Sequence, residues 1–326
     1  MYGLPQAGKL ANDQLAQFLL PHNFLPCPVT PGLWMDTTSD LMLTLVVDDF
    51  GVRYNKRSDV DRLLTTLYTK YHLTTDWTGS HYVGLTLMWD YEHRTVDLTM
   101  PGYIVCALQR FTHSTPTHPQ HAPHAWTAPR YGAGQQFVVP DVTPVLDLHD
   151  LKRVQEVLGT LLYYSHAIDC TMLPTLGTLA TQQATPTVAT LTAITHLLNY
   201  CATHPDATLR FIASDMVPHV ESDASYLSET RGHSCAASIH FLSCKPLSLP
   251  CLTLSIPPLN GAIYVHCRIL REALSSAAEA ELTDLFHNGK EAYAIHNILA
   301  ELGHPQAITR IVTNNGTASG VANDTV

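Results

Sequence analysis

The sequence predicts an α+β protein made of more than one compact unit. Three observations carry this. The first 111 residues alternate helical and strand patterns. A long leucine-periodic segment follows a proline-rich stretch. After about residue 208, three strand patterns precede a long helix and a further strand, the order of a mixed sheet. A chain of 326 residues is long enough for two cores.

The elements follow in order. Residues 9–20 place Leu10, Leu15, Phe18 and Leu19 on one helical face. Pro21, Pro26, Pro28 and Pro31 then interrupt regular structure. Residues 41–47 and 50–54 read as a hairpin enclosing Asp48 and Asp49, with Leu43, Leu45 and Val47, or their alternates, turned inward. Residues 58–70 read as a helix with Val60, Leu63, Leu64 and Leu67 inward. Residues 81–89 and 94–100 read as a second hairpin, and 102–111 as the start of a helix.

Residues 112–146 are rich in Pro, His, Thr and Gly, which predicts a linker or surface strap. Helices are expected over 148–166, 171–183 and 187–203. LRFIAS, HVESDAS, CAASIHFLS and AIYVHCRI read as strands, 275–302 as a helix and TRIVTN as a last strand. The expected boundaries are 1–111, 112–206 and 207–326.

Composition narrows the function. The net charge is −10, from 18 basic and 28 acidic residues, which argues against a chain that binds nucleic acid through its own basic stripe. None of the eight cysteines forms a CxxC pair, so reduced thiols are expected rather than a zinc site or disulfide frame. No signal peptide and no apolar run of membrane-spanning length is visible, which predicts a cytoplasmic or nuclear protein without a membrane partner.

Two acidic sets stand out. Adjacent carboxylates between apolar strands suit Mg²⁺ held against phosphates, and they also suit a polar β-turn. Asp223 and Glu281 form the second set, readable as metal ligands or as a turn aspartate and a solvated helix residue. His233 and His240 read as surface or sheet residues. The histidines of 113–124 read as loop composition, with adventitious metal binding as the alternative.

Seven segments in order resemble the copia-type retrotransposon polyprotein, over the C-terminal part of its reverse transcriptase and the start of its RNase H domain. MYGLPQAG is similar to the family's LYGLxQA, VVDDF to its YVDD-type motif, and YVGLTL to the FLGI strand. VLGTLLYYSHAID resembles the connection-region helix. ESDAS, SSAAEAEL and IVTNNGTA resemble the first RNase H carboxylate motif, SSxEAEY and DNQSA.

The resemblance implies a partial reverse-transcriptase palm over 1–111, connection helices within 112–206, and an incomplete RNase H-like mixed sheet over 207–326. It implies RNA-directed DNA synthesis and cleavage of hybrid RNA, with an RNA template, a DNA primer or an RNA–DNA hybrid as partners and Mg²⁺ as cofactor. Asp48 would be a direct ligand with Asp49 beside it, and Tyr2, Gly3 and Gln6 would lie near primer or nucleotide. Asp223 and Glu281 would be RNase H ligands. Asn314 stands where the third carboxylate belongs.

The family's first polymerase aspartate precedes its YGL segment, and its fourth RNase H carboxylate follows the DNQSA motif. The expectation is therefore a fragment with impaired catalysis. The alternative is a non-catalytic remnant that binds nucleic acid or protein.

Overall fold

The computed structural model describes residues 6–126, 141–245 and 257–325. Tyr2, Gly3 and Cys251 lie outside the described residues. The fold is mixed α+β with several small sheets. The chain divides into two units, residues 1–87 with 294–307, and residues 88–293 with 308–326.

The first unit begins with α1 (Ala7–Leu19) and a 3₁₀ turn. A sheet follows in the order β1 (Phe24–Pro26), β2 (Leu33–Asp36), β3 (Met42–Val46), β4 (Asp49–Arg53), antiparallel throughout. The prolines at 21–31 had suggested irregular chain there, yet β1 and β2 form. Pro26 occupies the end of an edge strand, where its missing N–H costs no inner ladder bond.

Next comes α2 (Arg57–Tyr68), with Val60, Leu63 and Leu67 on its buried face. These join Leu15 and Leu19 of α1 and Phe24, Trp34, Leu41 and Leu43 of the sheet region in one core. Full burial of each large side chain contributes roughly 1.5–3 kcal/mol. The inward set differs from expectation at Val47, which is 89% exposed because the chain reverses there.

The strand expected over 81–89 is split into β5 (His81–Tyr82) and the start of β6 (Leu85–Asp90). Val83 and Gly84 both have positive φ, 50° and 74°, as a two-residue hairpin of the primed type requires. The Tyr82 hydroxyl lies 2.9 Å from Thr44 Oγ1. A Cβ on Gly51 would come within 3.2 Å of the Tyr82 ring and 2.7 Å of Thr44 Oγ1, so glycine permits this approach.

Asp36 is buried and anchors the same unit. It accepts hydrogen bonds from Ser39 and from the Thr38 hydroxyl and amide, and it pairs with Arg62 of α2. Burial alone raises its pKa. The Ser39 and Thr38 donors and the Arg62 charge outweigh this and hold the carboxyl below its ordinary range.

In the second unit β7 (Thr95–Thr99) leads to α3 (Tyr103–Arg110). Helices α4 (Leu148–Ala167), α5 (Leu173–Gln182) and α6 (Val188–Thr203) match the expected helical stretch. Asp147 caps α4 through the Asp150 amide, and Thr187 with Thr190 forms a capping box on α6. The histidine-rich strap is fastened to α6: His113 Nε2 is 2.9 Å from Asn199 Oδ1, and His196 Nε2 is 3.1 Å from the Ala122 carbonyl.

Strand β8 (Leu209–Ile212) pairs antiparallel with β7, not with the strands that follow it. Those strands are β9 (Val217–Ser225), β10 (Cys235–Ser243) and β11 (Ala262–Ile269). After α7 (Ala277–Glu301) come β12 (Arg310–Val312) and α8 (Gly316–Ala322). The sheet order is β11-β10-β9-β12, with β12 parallel to β9 and the other pairs antiparallel. The mixed sheet expected from the sequence is present.

Replacing Asp36 with Ala is expected to cost about 2 kcal/mol, because the Thr38 and Ser39 donors lose their buried acceptor and the part-exposed Arg62 its partner. The depressed carboxylate contributes stability above its unfolded pKa and loses it as pH falls through the folded value. Urea unfolding across acidic pH should therefore show the wild-type advantage over Asp36→Ala shrinking in that window. An equal gap at every pH would refute this role for the Asp36 charge.

Candidate functional site

Val46 and Asp49 form the last pair of the β3–β4 ladder, so the two-residue turn is Val47-Asp48. The turn lies one residue earlier than the sequence suggested, and Asp49 opens β4. Both carboxylates are exposed. Asp49 Oδ2 accepts the Val83 amide at 3.2 Å, tying it to the next hairpin. Val47 has φ 59°, unusual for a β-branched residue and a sign of strain at the turn. Gln6 is exposed and flanks α1 without a side-chain cap.

The second acidic set is brought together by three elements. Along β9, side chains alternate between faces. Ser222 donates to Asp284 Oδ2 of α7 at 2.6 Å, so even-numbered residues face α7. Glu221 and Asp223 face the other way and line a cavity of about 460 Å³, together with Ala237, Cys267, Asn314 and Cys170.

Glu281 is buried in the second turn of α7. Thr313 donates to its Oε2 at 3.1 Å, just beyond β12. Asn314 Nδ2 donates to Asp223 Oδ1 at 3.2 Å. The amide must present N–H here, since a carboxylate oxygen only accepts. Asp223, Glu281 and Asn314 therefore converge where the ends of β9 and β12 meet the start of α7.

Glu279, two residues away, is half-buried and accepts the Ser275 amide and hydroxyl at 2.7 and 2.6 Å. It serves the helix start. Burial pushes the Glu281 carboxyl above its ordinary range. The Ala224 amide and the Thr313 hydroxyl oppose the rise, while the Asp223 and Asp284 charges add to it.

Of the other expected bystanders, His233 lies in the loop before β10 and His240 within β10. His233 Nδ1 is 3.0 Å from the Leu270 carbonyl. His240 is buried against α7, 3.3 Å from Asn288 Oδ1.

The sequence reading missed a further group, Asp147, His149 and Asp150, whose ligand atoms lie within 4.8 Å of one another and could coordinate a metal ion. It is the one such three-residue group among the described residues. The D-x-H-D spacing was a visible signal. The Asp147 side chain already accepts the Asp150 amide at 2.9 Å, and His149 lies 3.2 Å from Asp150.

No helix among the described residues is long and apolar enough to cross a membrane. No family model matches the sequence.

Two outcomes follow from this geometry. Val47→Gly is expected to raise stability by about 1 kcal/mol, the strain released exceeding glycine's entropic cost; an unchanged or lower urea midpoint would contradict strain at the turn. A carboxylate with a raised folded pKa costs stability above that pKa and less as pH falls through it. Glu281→Gln should therefore raise the unfolding midpoint at neutral pH, with the gain fading in acid. A loss at neutral pH would mean that the Glu281 charge is stabilising.

Proposed function

We propose that the chain derives from a copia-type retrotransposon RNA-directed DNA polymerase and that its RNase H-like unit is catalytically impaired. The observation that supports this best is the meeting of Asp223, Glu281 and Asn314 at one end of a sheet ordered β11-β10-β9-β12. Seven sequence motifs in family order reach the same reading independently.

RNase H chemistry uses carboxylates to hold two Mg²⁺ ions about 4 Å apart across the scissile phosphate. The residues present do not fit that requirement. Hard divalent cations take charged oxygen ligands. Asn314 instead aims an N–H donor at the Asp223 oxygen a cation would use. No cleavage step is therefore assigned to this arrangement.

The polymerase-like site is weaker still. Asp48 and Asp49 are exposed, and among the described residues no third carboxylate, His or Cys joins them in a ligand-sized cluster. Two-metal transfer cannot be built from one adjacent pair.

Asn314→Asp tests the reading. Placed at 3.2 Å from Asp223, a third carboxylate should lower stability in chelator and make it recover with Mg²⁺. Cleavage of the RNA strand of an RNA–DNA hybrid should rise at least about tenfold over the natural chain. Natural and substituted chains cleaving hybrid equally fast would overturn the proposed role of Asn314. A substituted chain with neither Mg²⁺-dependent stability nor cleavage would overturn the RNase H-like reading and favour a non-catalytic binding remnant.

A further inference from the structure

Cys235 on β10 and Cys267 on β11 are diagonal neighbours. Cys235 lies opposite Ile269, and Cys267 lies opposite Ala237. Ala237 in turn lies opposite Asp223, so both cysteines occupy the sheet face that carries Glu221 and Asp223. Their sulfurs are 3.7 Å apart. Both residues are partly exposed, and Cys267 forms part of the cavity wall.

The two thiols are not equivalent. The contact from Cys235 pulls the Cys267 thiol below its ordinary range, against the effect of burial. The same contact, reinforced by burial, pushes Cys235 upward. Cys267 opens on the cavity, so it is the sulfur that an external oxidant reaches first, with Cys235 behind it as the second thiol.

We propose that Cys235 and Cys267 are a redox-active dithiol that low-molecular-weight disulfides such as oxidised glutathione convert to an intramolecular disulfide. The Cys267 thiolate attacks one sulfur of the oxidant, forming a mixed disulfide and releasing one thiolate. Cys235 then loses its proton to solvent and attacks Cys267 Sγ, expelling the second thiolate. Two protein thiols are oxidised, one external disulfide is reduced to two thiols, and two protons appear on the released groups.

Closing from 3.7 Å to a bond length of ~2.05 Å needs about 1.7 Å of approach, shared by two side chains and two twisted strands. The pair shares its sheet face and cavity with Asp223 but makes its own sulfur–sulfur contact, so its oxidation does not depend on the function proposed above.

The test uses the intact chain in graded mixtures of oxidised and reduced glutathione, quenched by alkylation and read by non-reducing peptide mapping. The expected result is the loss of two alkylatable thiols and one major link, Cys235 to Cys267. Repeating the reaction in urea should remove that preference. Cys235→Ser should accumulate a stable glutathione adduct on Cys267, whereas Cys267→Ser should leave Cys235 largely unmodified. The proposal fails if both thiols stay alkylatable at every ratio. It also fails if the link is no more frequent in the folded chain than in urea, or if Cys267 pairs first with Cys170.

Discussion

The second unit depends on the alternation of β9. This strand is bonded on both sides, to β10 and to β12, and each of its faces has a separate task. Val220 and Ser222 are buried on the α7 side, while Glu221 and Asp223 line the cavity. A slip of one residue would exchange the faces, turning the Asp223 side chain under the helix and the Ser222 hydroxyl away from Asp284. The position of the acidic group, the burial of α7 and the placing of the two thiols all follow from that register.

The layer beneath α7 is unusually polar. Asp284, Asn288, His240, His266, Ser222 and Ser238 are all buried there. Ser238 Oγ is 3.0 Å from His266 Nδ1, and His266 Nε2 is 3.4 Å from Asp284 Oδ1. His240 Nδ1 and Asn288 Nδ2 find no hydrogen-bond partner among the described residues. His266 Nε2 and Asp284 Oδ1 are likewise without a hydrogen-bond partner among the described residues, so the layer is only partly satisfied. It also contributes less stability than an apolar layer of the same volume. The first unit is built the opposite way, on a core of Leu, Phe, Trp and Val, with Asp36 as a buried charge that Arg62 and hydroxyl donors satisfy.

How much could be read in advance follows from these differences. The helices α2, α4 and α6 were legible because their apolar residues recur every three or four positions and sequence-local caps mark two of their starts. The long helix α7 was found, yet its inward face was not, because positions 280, 284 and 288 carry Ala, Asp and Asn where an apolar stripe would announce burial. Strands β1 and β2 were hidden by flanking prolines that an edge strand tolerates. The Val83-Gly84 turn was missed because Val is a poor residue at positive φ, and tertiary context overrode its preference. The pairing of β8 with β7 joins residues more than a hundred positions apart, and no local pattern encodes such a partner. At the acidic group, Asp223, Glu281 and Asn314 were singled out from motif order. Glu281 rather than Glu279 was already favoured by the motif, but the convergence rests on three separate elements meeting, which the chain alone does not display.

That convergence sets stability against chemistry at residue 314. Bringing Asp223 and a buried Glu281 together in a chain of net charge −10 is repulsive unless something offsets it. A divalent cation would do so and would also create a catalytic centre. Here the offset comes from neutral donors: the Asn314 amide on Asp223, and the Thr313 hydroxyl and Ala224 amide on Glu281. Each keeps its proton across the physiological range and needs no bound ion, so the group can hold its shape without metal. A neutral amide at residue 314 thus lets Asp223 and Glu281 sit close together without the fold depending on a bound cation.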